Sequence, residues 1–130
     1  MPTPAVNVNL NHSAVVTLDV NGNGTAQLGP ISPREMWPPS VVSVKTNQTA
    51  ATIVNEAICK VYVGSDTSDP NYVDGTLSGS TGDSTTNVAG QEVDCGEYVF
   101  AVWSGGDAGA QGRVNVQGTK VISSARAVSR

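Results

Sequence analysis

The chain has 130 residues, which fits one domain able to bury roughly two thirds of its unfolded surface without a disulfide or a metal. Only 14% of the residues are charged and the net charge is -4, which excludes a phosphate-binding surface built from clustered Lys and Arg. Gly, Ser, Thr, Val and Asn are abundant and prolines occur throughout, the composition of short strands joined by turns.

The opening residues, MPTPAVNVNL, have neither the basic n-region nor the apolar h-region of a signal peptide. No apolar run approaches the ~20 residues of a membrane span. A reducing cytoplasm is therefore the expected site of synthesis, with Cys59 and Cys95 as thiols. Residues 1–13 hold Pro, Thr, Asn and Val with almost no charge, and read as an extended N-terminal arm. Such an arm is either a frayed terminus or a segment that orders on a partner, with Val6, Val8 and Leu10 as contacts.

From Ser13 a period of two begins: Val16, Leu18 and Val20 alternate with Thr17 and Asp19, and Ala26 and Leu28 with Thr25 and Gln27. Between the runs lies Asn21-Gly22-Asn23-Gly24. With Asp19, these residues fit the first half of a calcium loop. They also fit a β-hairpin turn, because Asn and Gly tolerate positive φ. A calcium loop needs a bidentate carboxylate at its twelfth position, which here is Pro30. The segment is therefore read as a hairpin.

GPISPREMWPP, residues 29–39, is too rich in proline for a helix or a central strand. It reads as an extended connector crossing between sheets. Trp37 within it is either a plug for the end of a sandwich core or a stacking platform for a sugar or partner. Val42 and Val44 alternate with Ser43 and Lys45 in the next strand. In EAICKVYVG, Cys59, Val61 and Val63 face inward, while Ile58 and Tyr62 are apolar enough on the other face to meet another element or subunit. Residues 64–90 read as acidic, solvated loops around a short strand near Tyr72–Leu77. EYVFAVW, residues 97–103, is apolar at nearly every position, as in a central strand covered on both sides. Val114 and Val116 mark a last strand, and residues 123–130 form a polar basic tail. The expected fold is all-β: a single antiparallel β-sandwich over 14–122, jelly-roll-like, with an immunoglobulin-like sandwich as the alternative.

His12 is the sole histidine, so a Ser-His-Asp or Cys-His pair would have to use it. Two cysteines and this histidine do not have zinc-site spacing. No Gly-rich loop lies between a strand and a helix, so no nucleotide cradle is read. Paired carboxylates are left open, because their separation is set by the fold. The expected class is a binding or structural module, not an enzyme, with no cofactor, metal, nucleic acid or membrane partner.

GPISPREMW, CKVYVG, VDGTLSGSTGDST, YVFAVWSGGDAGA and VQGTK occur in that order over about residues 14–122. Together they resemble small β-sandwich virion proteins of tailed phages of actinobacteria, of the capsid decoration and minor tail types. The chain departs from that pattern at DCGEY, around Cys95. The resemblance implies a non-enzymatic structural protein at the capsid surface that binds the major capsid protein, stabilises the head and forms a homotrimer at local three-fold axes. It carries over no defined site. The candidate partner contacts are Val6, Val8, Leu10, Trp37, Ile58 and Tyr62. Deleting residues 2–12 is expected to weaken capsid binding and leave the fold intact. The alternative is a tail or fibre module that binds host-surface glycans through Trp37, Tyr72 and Trp103.

Overall fold

The computed structural model describes residues 5–45, 55, 57–75, 83–88 and 90–123. Ten strands lie in these residues: β1 (Ala5–Thr17), β2 (Gly24–Leu28), β3 (Glu35–Trp37), β4 (Pro39–Lys45), β5 (Ile58–Gly64), β6 (Tyr72–Gly75), β7 (Asp83–Asn87), β8 (Val93–Asp94), β9 (Tyr98–Ser104) and β10 (Gln111–Ser123). They form two antiparallel sheets. The smaller sheet has the order β2-β9-β5-β6. In the larger sheet, β1 lies along one edge of β10, and β4 and β3 share the other edge. Beyond them, β7 pairs with β4 and β8 with β3.

The pairing is nested. β1 pairs with β10, β2 with β9, β4 with β7 and β5 with β6. A long hairpin rolled into two layers has this pattern, so the fold is the jelly-roll form of the β-sandwich. The alternation of apolar residues explains the layers. Leu10, Val42, Val44, Val114 and Val116 of the larger sheet face Ala26, Cys59, Val61, Val63, Val99, Ala101 and Trp103 of the smaller one, all buried. Cys59 and Cys95 are thiols, the first buried in this core and the second exposed in a turn. Burial pushes the Cys59 thiol up to about 12.

Three expectations are corrected. The 17–28 stretch is not a hydrogen-bonded hairpin: β1 belongs to the larger sheet and β2 to the smaller. The turn chemistry is as expected, with Gly22 at φ 76 and the Asp19 carboxylate accepting from the Asn21 and Asn23 N–H groups at 2.8 and 3.0 Å. It turns a corner between layers, and the carboxylate serves the loop backbone. The proline-rich connector does cross from the smaller sheet to the larger one, but it contains strand β3, paired on both sides. Pro30, Pro33, Pro38 and Pro39 flank Glu35–Trp37 without entering it, so the N–H groups of those three residues are free to bond. Finally, from Ala5 onward the expected arm is strand β1, in register with β10 from Ala5↔Ser123 to Thr17↔Gln111. The boundary at residues 13 and 14 falls inside this strand. Residues 124–130 of the expected tail lie outside the described residues.

Candidate interaction surfaces

The candidate contacts divide between β1 and the smaller sheet. On β1 the inward parity carries Val8, Leu10, His12, Ala14 and Val16, and the outward parity carries Asn7, Asn9, Asn11, Ser13, Val15 and Thr17, all exposed. Leu10 is 1% exposed and belongs to the core. Val8 is half-buried, and Val6 is 56% exposed where the strand runs past the core. The expectation that Leu10 meets a partner is corrected, because its parity turns it between the sheets.

Trp37 is likewise interior, at 3% exposure. Its ring stacks on His12 with centroids 4.9 Å apart and planes 5° from parallel. Its Nε1–H donates to Glu35 Oε1 at 3.0 Å, and Lys120 Nζ lies 3.7 Å from the same oxygen. Lys120 Nζ is also 3.4 Å from His12 Nε2. The half-buried polar groups therefore satisfy one another and tie β1, β3 and β10 together at one end of the core. This is the plug role for Trp37, and it corrects both the partner-contact expectation and the placement of His12 in a loose arm. Trp103 is fully buried and Gly112 packs directly against its indole. Of the three aromatics a glycan platform would use, only Tyr72, 47% exposed, reaches the surface. That platform is not available.

Ile58 and Tyr62 lie where the alternation places them, on the outward face of the smaller sheet. The register sets Tyr62 opposite Phe100, Lys60 opposite Val102 and Ile58 opposite Ser104. Tyr62 meets Tyr72 edge-on with ring centroids 5.6 Å apart, and Tyr98 meets Phe100 in the same way at 5.6 Å. The result is an aromatic patch across three adjacent strands, β9, β5 and β6, with Ile58 at 39% exposure beside it. Tyr62 and Phe100 are 9% and 7% exposed although they stand outside the main cluster between the sheets, so most of their surface is already covered within the chain. Sequence reasoning found Ile58 and Tyr62 and missed Tyr98, Phe100 and Val102 as their companions. The signal was the doubly apolar run EYVFAVW, whose second face was taken to be covered by another layer.

The outward face of the larger sheet contrasts with this patch. Asn7, Asn9, Asn11 and Ser13 of β1 lie opposite Val121, Thr119, Gln117 and Asn115 of β10, so the surface there is polar and mostly uncharged. Asn115 Oδ1 on this face is buried, with no hydrogen-bond partner among the described residues.

The fold is shared with a solved structure. A chain of Desmodium yellow mottle tymovirus superimposes with a TM-score of 0.54 at 9% sequence identity, covering 95% of this chain and 90% of that one. No protein-family model and no curated protein matches the sequence.

Proposed function

We propose that this chain is a non-enzymatic structural protein of a virion, and specifically a decoration protein that binds the major capsid lattice at the capsid surface and stabilises the head. The observation that carries the reading is the jelly roll itself, shared over 95% of the chain with a chain of a tymovirus. The sequence resemblance to decoration and minor tail proteins points the same way, and the finer role is taken from the first of these two types. The outward face of the smaller sheet is the lattice-binding surface in this reading. Large aromatic side chains with polar edges are the residues enriched at the centres of protein interfaces, and here they are gathered on one face. Contacts of this kind, repeated over a symmetric lattice, give avidity without a tight single interface.

Cosedimentation of the purified chain with capsids that lack it tests this reading. Ile58→Glu and Tyr72→Ala change the two exposed members of the patch, so both variants should fold. Each is expected to lower occupancy at a fixed concentration and to reduce the heat resistance conferred on the capsids. Unchanged occupancy in both variants would show that the lattice contact lies elsewhere. No binding by the parent chain would remove the decoration role itself.

A further inference from the structure

Among the described residues strand β1 has a long unpartnered edge, and we propose that a second copy of this chain pairs with it, antiparallel, across a two-fold axis at Asn11. The two larger sheets then join into one. One edge of β1 is held by β10 without a register break over all 13 residues. Among the described residues, no strand takes the other edge. About half of the strand's residues therefore direct their N–H and C=O groups outward. The remaining sheet edges are short: β2 and β7 have five residues each, β6 four and β8 two.

Soluble proteins blunt long edges with proline, charge or a bulge. Ala5–Thr17 contains no proline, Lys, Arg, Asp or Glu, and its pairing with β10 shows no bulge. Its sole titratable side chain, His12, lies on the inward parity and is stacked on Trp37.

A register that uses the whole strand, keeps its parity and brings no charges together points to a second copy as the occupant. Laying Ala5 opposite Thr17 of the second copy uses the whole strand. On the outward face this register sets Asn11 against Asn11, Asn9 against Ser13, Asn7 against Val15 and Ala5 against Thr17. On the inward face it sets Val8 against Ala14, Val6 against Val16 and Leu10 against His12. Like meets like at four of these seven pairs, and the register keeps the core-facing parity of both copies on one side of the joined sheet. Val6, at 56% exposed one of the large apolar side chains left at the surface, gains a neighbour. The seam is free of formal charge, so two chains of net charge -4 meet without direct repulsion. The same patch serves both copies, and the contact closes on itself. The inference stands on β1 alone and does not depend on the virion role.

The test is sedimentation of the full-length chain over a concentration series, beside Asn11→Lys and Asn11→Glu. Asn11 is exposed, so both variants should melt like the parent. The parent is expected to dimerise. Each variant alone should dissociate about tenfold more readily, because two like charges face each other at the axis. An equimolar mixture of the two variants should recover the dimer, because Lys then faces Glu. A parent that stays monomeric, a trimer of the order implied by the sequence resemblance, or variants that associate like the parent would each overturn the proposal. So would a capsid protein strand that protects the β1 amides from hydrogen exchange while the parent remains monomeric.

Discussion

Truncating Leu10 to alanine decides whether residues 5–13 are an arm or part of the fold. Leu10 is 1% exposed and belongs to the core cluster with Val42, Val44, Val114 and Val116. Burying a leucine contributes about 1.5–3 kcal/mol, and the cavity left by Leu→Ala adds to the loss, for a total of about 2–5 kcal/mol. A value near 3 kcal/mol is about right for a side chain near the N-terminal half of a strand held on one edge only. Unfolding 130 residues carries about 270 cal/mol/K of entropy, so that loss lowers Tm by about 11 °C. The assay is thermal unfolding followed by circular dichroism, with Asn9→Ala as the control. Asn9 is the exposed neighbour, and its truncation is expected to cost no more than about 0.5 kcal/mol, or about 2 °C. A Leu10→Ala shift as small as the Asn9→Ala shift would refute the reasoning, because a frayed arm gives that result. By the same logic, deleting residues 2–12 removes the β10 partners from Ala5 to His12 and costs the fold, not merely a binding contact.

Two further outcomes follow from the core. Gly112→Ala drives a methyl group into the Trp103 indole, and lower stability by about 1–3 kcal/mol is expected in urea unfolding; an unchanged midpoint would show that the ring can move aside. Cys59 gives a pH signature. Its thiol is raised from an ordinary value of 9.0 to about 12 by burial, with the Val102 backbone opposing the shift. Below pH 9 both folded and unfolded chains keep the proton. As pH rises from 9 toward 12, the unfolded chain loses it and the folded one retains it, so stability falls by up to about 1.4 kcal/mol per pH unit. The stability advantage of the parent over Cys59→Ala should therefore narrow between pH 8 and pH 10.5 in urea titrations. A constant difference would contradict the burial account.

Local alternation was legible in the sequence. The inward set Cys59, Val61 and Val63 and the outward pair Ile58 and Tyr62 follow from period two alone, and the structure places each accordingly. Pairing partners were not legible. Asn21-Gly22-Asn23-Gly24 has the same turn chemistry whether the flanking strands bond to each other or diverge into separate layers, and only the rest of the fold decides. The strand at Ala5–Thr17 was obscured because its polar positions are Asn, a poor strand former, while its partner β10 lies more than ninety residues away. Strand β3 was obscured by the prolines on either side of it. The aromatic patch was half legible: nothing in EYVFAVW distinguishes a face covered by another layer from the outward face of a sheet. The Trp37–His12–Glu35–Lys120 cluster was not legible, since its members come from three strands that meet only in the folded sheet.

The proposed decoration of a capsid is tested by the copy number of this chain in purified virions. Quantitative mass spectrometry against the major capsid protein is expected to give a ratio on the scale of the capsid lattice. A handful of copies per particle would contradict decoration and move the protein to the tail, and its absence from the particle would contradict a virion role altogether.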